Sequence, residues 1–205
     1  MTRSLLMLLL IAAAPLSHRA AAQADLAVVV RTYDYTDGSR DRLSAARKEA
    51  EGIFRKAHIS VRWMDCEVPN RRGGATCTEP LVAGRDLMMR LLDRGDNQRE
   101  NAPRAVGLGE SLVDRERSSG VLMTLDLSAI RGVAADTAVD IPTLLGRAIA
   151  HEIGHLLLGS SSHPRDGLMR ALWSQEELRG LKPAYWGFSP REAAQMQQAL
   201  VRQVR

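Results

Sequence analysis

The sequence has little of what marks several classes of protein. Only two cysteines occur among its 205 residues, so the chain can form one disulfide at most. The net charge is only +4, and basic and acidic side chains are interspersed, which argues against a nucleic-acid partner. The apolar run at residues 5–14 is about half the length that a membrane-spanning helix needs, so we expect no stable membrane anchor. The length leaves room for one domain with a sizeable core.

The N-terminal segment has the pattern of a secretory signal peptide. A basic residue, Arg3, precedes the apolar run, and the small residues at 20–22 form an Ala-x-Ala cleavage site. We predict a signal peptide at 1–22 and a single catalytic domain at 25–205, exported to the periplasm or the cell exterior. Loss of Arg3 and Arg19 with the leader reduces the net charge to about +2.

The two cysteines, Cys66 and Cys77, flank a short glycine-containing loop. In an oxidising compartment we expect them to form a disulfide. The alternative is a reactive or metal-binding pair, but their spacing fits no common ligand pattern.

Apolar periodicity predicts an alternating order of strands and helices. A strand, a helix and a second strand with short connections favour a right-handed crossover and a parallel pair. A serine followed by proline and glutamate, at Ser189, Pro190 and Glu192, caps a last helix. We predict strands at 26–33, 59–64, 87–92, 105–113 and 121–127, helices at 39–57, 142–158 and from 189 to about 202, and a loop at 132–140. The methionine and leucine content of 87–92 would also suit a helix.

The most specific signal is the segment 151–169. His151 and His155 are four residues apart and therefore share one face of a helix, where two imidazoles can bind one metal ion. Glu152 is placed to act as base on a water at that metal. Gly159 is a natural helix stop, and beyond it His163 can fold back as a third ligand. If His163 is not a ligand, Asp166 or a water molecule would complete the coordination of the metal.

This segment resembles the metzincin metallopeptidases, whose pattern is His-Glu-x-x-His-x-x-Gly-x-x-His followed by a methionine turn. By resemblance, Met169 is the turn methionine and forms a hydrophobic floor beneath the metal. The spacing to His163 is two residues longer than the family pattern, and the short distance to Met169 favours the matrixin-like branch. The resemblance implies an α+β, zincin-type fold: a mixed twisted sheet of 4–5 strands, a backing helix, the active-site helix, the Met-turn and a C-terminal helix. It also implies that an extended substrate pairs with an antiparallel edge strand, for which residues 105–112 are our candidate.

Together these features predict a secreted zinc endopeptidase. Zn²⁺ is the cofactor, Glu152 the general base, and a peptide or protein the substrate; we expect a monomer. Two alternatives remain open: a non-catalytic exported zinc-binding protein with the same fold, and a zinc amidase that acts on cell-wall peptides. The presence of Glu152 argues against the first, because a purely structural zinc site has no use for that carboxylate.

Overall fold

The structure is a computed structural model that describes residues 26–36, 40–69, 74–95, 107–114, 116, 119–182 and 184–202. The predicted signal peptide at 1–22 lies outside these residues, so its prediction is untested. Within the described ranges, no helix has the length and apolar character needed to cross a membrane.

Five strands form one mixed sheet, as predicted. They are β1 (Ala27–Asp34), β2 (Ser60–Asp65), β3 (Asp86–Leu92), β4 (Gly109–Asp114) and β5 (Ser119–Asp126). Their order in the sheet is β2-β1-β3-β5-β4. The first four in this order pair in parallel, whereas β4 pairs antiparallel to β5 and ends the sheet. The predicted parallel pairing of β1 with β2 is therefore confirmed.

The helices are α1 (Arg40–Lys56), α2 (Leu127–Thr137), α3 (Ile141–Leu158), α4 (Gln175–Leu178) and α5 (Pro190–Arg202). Alternate residues of the central strands, such as Val30, Met89 and Leu125, are buried with the apolar side chains of α1 and α3. The two helices approach closely at Gly146, where an added Cβ would lie 2.5 Å from the carbonyl oxygen of Ala46. This packing holds α3, with its two histidines, beneath the sheet edge formed by β5 and β4.

Two boundaries differ from the sequence prediction. The loop expected at 132–140 is wrong over its first part, because α2 continues to Thr137. Asp126 caps α2 by accepting hydrogen bonds from the N–H groups of Ser128 and Ala129, and Ile130 and Ala134 pack into the core. Gly132 has a low helix propensity, but burial of this apolar face outweighs it. The edge strand begins at Gly109, later than the predicted residue 105, and residues 105 and 106 lie outside the described ranges.

Cys66 and Cys77 form the predicted disulfide, with their Cα atoms 5.5 Å apart. Cys66 directly follows β2 and also makes a β-bridge with Ala75. The disulfide thus ties the segment after β2 to the edge of the sheet far from β4.

Candidate metal centre

Local sequence determines both ends of α3. The Asp140 side chain accepts a hydrogen bond from the N–H of Thr143 at 3.0 Å, and Pro142 lies in the first turn. Gly159 ends the helix with a φ of 60°, a left-handed conformation that glycine adopts without a steric penalty. Between these ends, His151, Glu152 and His155 are all buried.

The structure brings the three predicted histidines together. Nε2 of His155 lies 3.0 Å from Nε2 of His151 and 3.1 Å from Nε2 of His163. Two of the rings come from one face of α3, and the third comes from the exposed connection that follows the helix. Within the described residues, these three form the cluster of side chains suited to hold a metal ion.

Backbone carbonyls set the tautomer of the two helical histidines. Nδ1 of His151 lies 2.9 Å from the carbonyl oxygen of Leu168, and Nδ1 of His155 lies 2.7 Å from that of Ser160. A carbonyl oxygen can only accept, so each Nδ1 carries the proton and each Nε2 keeps its lone pair. Burial lowers the pKa of His151 to about 4 and also lowers that of His155, which keeps both rings neutral near pH 7.

The donor set fits zinc. The Nε2 lone pairs of the three rings face one another at about 3 Å, and they repel unless a cation lies between them. Three imidazoles that leave the fourth coordination position open are a common ligand set of catalytic zinc. Tetrahedral coordination with Zn–N bonds of about 2.0–2.1 Å puts nitrogen atoms about 3.3 Å apart, close to the distances found here.

A serine turn accommodates the longer connection to His163. After Gly159, the hydroxyl of Ser160 accepts a hydrogen bond from the N–H of Ser162 at 3.1 Å and lies 2.7 Å from the Ser162 hydroxyl. The carbonyl of Ser160 meanwhile accepts from His155. The two additional residues therefore form a local turn that returns His163 to the site.

Glu152 lies between the metal cluster and the edge strand. The Ser111 hydroxyl donates to Oε2 of Glu152 at 2.6 Å and lies 3.0 Å from its backbone carbonyl oxygen. Burial raises the pKa of Glu152 to about 7, the negative charge of Glu110 adds to that increase, and the Ser111 hydrogen bond opposes it. A cation bound by the histidines would favour the carboxylate form.

Met169, the candidate turn methionine, packs against α3 at Gly154. A Cβ added at Gly154, between the two helical histidines, would lie 2.6 Å from Sδ of Met169 and 2.8 Å from Cε1 of Phe188.

Arg170, the residue after Met169, donates to Glu177 of α4 at 2.6 Å. This hydrogen bond and those from Ser174 lower the pKa of Glu177 to about 2.

A cleft of about 450 Å³ opens beside the cluster. One wall is β4 with the residues just before it, and the other is formed by His151, Glu152, His155 and His163. Apolar side chains of α2, α3, α4 and the segment before α4 also line the cleft: Val133, Ala148, Leu172, Trp173 and Leu178. Such a cleft can take an extended chain along β4 with a side chain directed into the apolar part.

Tyr185, Trp186 and His58 are not among the residues that line the cleft. The Tyr185 hydroxyl donates to the carbonyl of Phe188, and Trp186 contacts Trp173 edge-on. His58 is exposed just after the end of α1.

The sequence analysis missed Ser111, Trp173 and the two carbonyls that bind the histidines. Trp173 donates to the same Leu168 carbonyl that receives His151. The alternation of Gly109 and Ser111 indicated a common strand face, but nothing in the sequence placed that face against Glu152, 41 residues later.

The mixed sheet with one antiparallel edge strand, the buried helix beneath it and the following turn constitute an α+β fold of metzincin-like type. A solved structure with this fold is archaemetzincin from Methanopyrus kandleri, which matches with a TM-score of 0.50 and 15% sequence identity over 89% of this chain and 99% of that chain. No protein-family model and no curated protein sequence matches. At this identity the similarity establishes the fold, and the matrixin-like branch stays a prediction.

Proposed function

We propose that this protein is an exported zinc metalloendopeptidase. The observation that carries the proposal is the convergence of three Nε2 atoms beside a buried carboxylate in an open cleft. His151, His155 and His163 would hold Zn²⁺, and Glu152 would serve as general base. The same fold occurs in archaemetzincin, which makes a peptidase plausible by analogy, while the proposal itself is argued from the site.

The side chains around the site have distinct tasks in peptide hydrolysis. When bound, zinc supplies Lewis-acid chemistry, which acidifies a water and polarises the substrate carbonyl. Glu152 takes a proton from the attacking water and passes it to the leaving amine. Glu152 is placed for this shuttle because it is buried in the cleft wall next to His151, within reach of a proton on the attacking water.

The edge strand would align the substrate. β4 ends the sheet within the described residues, so no described strand pairs with its outer edge, and its residues Gly109, Glu110 and Ser111 line the cleft. An extended peptide can add there as a further strand and lie across the metal cluster. This geometry supports cleavage within a chain.

Export rests on the signal peptide predicted at 1–22 and is supported by the disulfide. A Cys66–Cys77 bond is stable in an oxidising compartment, the periplasm or the cell exterior, and rare in the cytosol.

The test is the substitution Glu152→Gln in the zinc-loaded protein. We expect the wild type to cleave members of a peptide library in a chelator-sensitive reaction. The variant should bind one zinc per chain and lose at least about 100-fold in kcat/KM, since it lacks the base. Glu116→Gln, which removes an exposed carboxylate from the β4–β5 turn, is the matched control and should retain the wild-type rate.

The same measurement separates the alternatives. Cleavage of cell-wall peptides without cleavage of the library would support the amidase. Stoichiometric zinc with no chelator-sensitive hydrolysis of either substrate would contradict an enzymatic function and leave the non-catalytic zinc protein.

A further inference from the structure

The edge strand contacts Glu152 at two points. Gly109 and Ser111 lie two residues apart in β4, and both face α3. A Cβ added at Gly109 would lie 3.0 Å from Cγ of Glu152 and 2.8 Å from Cδ1 of Leu125. The missing side chain at Gly109 therefore lets the strand approach the middle of the Glu152 side chain, while Ser111 reaches its carboxyl end.

The Ser111 hydroxyl has one proton and two acceptors within reach. Both belong to Glu152: Oε2 at 2.6 Å and the backbone carbonyl oxygen at 3.0 Å. The shorter bond to the carboxyl oxygen is the stronger, because a hydrogen bond to a charged acceptor is short and about twice as strong as a neutral one. The hydrogen bond from Ser111 thus reaches one of the two carboxyl oxygens of Glu152, Oε2.

A catalytic glutamate needs a contact that restricts the orientation of its carboxyl group. Its side chain has three rotatable torsions, and the last one is broad and weakly determined. The hydrogen bond from Ser111 to Oε2 restricts rotation of the carboxyl group and does not use Oε1, which can then take the proton that the general base must accept. Proton transfer requires this oxygen within hydrogen-bond reach, and a displacement of about 1 Å can cost about 100-fold in rate.

We propose that Ser111 is a positioning residue: its hydroxyl holds the carboxyl group of Glu152 in the orientation needed for proton transfer. The inference rests on the proposed function for its catalytic consequence. The contact on which it depends, between Ser111 and Glu152, can be measured without any catalytic assay.

The kinetic test is Ser111→Ala in the zinc-loaded protein. We expect kcat to fall by about 10- to 100-fold, while KM and zinc content stay within a factor of two, since the hydroxyl contacts Glu152 rather than a metal ligand. Ser111→Thr keeps a hydroxyl on Cβ and should recover most of the rate. Ser119→Ala removes a hydroxyl from the same hairpin outside the cleft and should leave kcat unchanged.

A double-mutant cycle assigns the effect to Glu152. In a Glu152→Ala background, Ser111→Ala should cause no further loss of residual activity, because its partner is already gone. Equal fold-losses in the two backgrounds would overturn the proposal.

A second cycle uses thermal unfolding of the metal-free protein. Ser111→Ala should lower Tm by about 2–5 °C in the wild-type background, since it removes a hydrogen bond to a buried carboxyl. In the Glu152→Ala background the same substitution should lower Tm by less than half of that amount. Independent, additive Tm shifts would contradict the contact itself.

The outcomes separate the two proposals. A wild-type protein without chelator-sensitive hydrolysis contradicts the proposed function and any catalytic role of Ser111, even where the unfolding cycle shows coupling. An active wild type whose kcat is insensitive to Ser111→Ala contradicts the positioning role alone. A loss of zinc in Ser111→Ala, with no recovery by Ser111→Thr, would make Ser111 a structural residue of the metal site.

Discussion

At the scale of single residues, Gly154 controls how closely Met169 approaches the metal centre. Substitution Gly154→Ala should gain up to about 1 kcal/mol of helix propensity. It should lose more, about 1–3 kcal/mol, because the new Cβ would meet Sδ of Met169 and Cε1 of Phe188 at 2.6 and 2.8 Å in a fully packed region. We therefore expect a lower Tm and weaker zinc binding, measured by thermal unfolding and competition with a chelating dye. Gly52→Ala in α1 is the control: its Cβ would meet only the end of Arg55 at 3.6 Å, so it should be neutral or stabilising. An unchanged Tm and zinc affinity in Gly154→Ala would show that Met169 has room to move.

At the scale of elements, the metal cluster combines one helix and one connection. α3 holds His151 and His155 rigidly, with both Nδ1 atoms bonded to carbonyls, whereas His163 lies on an exposed turn. Substitution His163→Ala should lower zinc affinity by at least about 100-fold, because loss of a ligand exceeds the 10- to 100-fold effect of losing an outer hydrogen bond. Equilibrium dialysis measures this, and the helix content should be unchanged since α3 is capped by Asp140 and Gly159. His58→Ala, an exposed histidine at the end of α1, should bind zinc like the wild type. An unchanged affinity in His163→Ala would remove that residue from the site.

At the scale of the whole molecule, the hydrophobic core is built from side chains other than the three histidines. The core packs α1 and α3 against the sheet, and the histidine cluster lies at its margin beside the cleft. We expect removal of zinc by a chelator to preserve the far-ultraviolet circular dichroism spectrum and to lower Tm. At a free zinc concentration of about 100 times Kd, the bound ion stabilises the fold by about 2.7 kcal/mol, which corresponds to roughly 5–11 °C in a chain of this size. Zinc should restore Tm and magnesium should not, because imidazole nitrogens suit zinc and oxygen ligands suit magnesium. Loss of secondary structure on chelation would mean that zinc is needed for folding itself.

Features encoded over a few neighbouring residues could be predicted from the sequence. Asp140, Pro142 and Gly159 mark the ends of α3, and Ser189 with Glu192 marks the start of α5, because capping groups act within one turn of a helix. The spacing of His151 and His155 likewise places both on one helix face. The helix α2 was missed although its apolar residues Leu127, Ile130 and Ala134 follow a helical period. That pattern is present in the sequence, but the burial that makes it decisive depends on packing of α2 into the core.

The sequence by itself determined the helix with its histidines, the glutamate beside them, the closing glycine and the cysteine pair. Only the tertiary structure decided which groups complete the site: the carbonyl of Leu168 on His151, the hydroxyl of Ser111 on Glu152, and Met169 beneath Gly154. The physical reason is the range of the interactions. Caps and helical spacing operate between residues a few positions apart, whereas these contacts join segments that meet only when the sheet and α3 pack together.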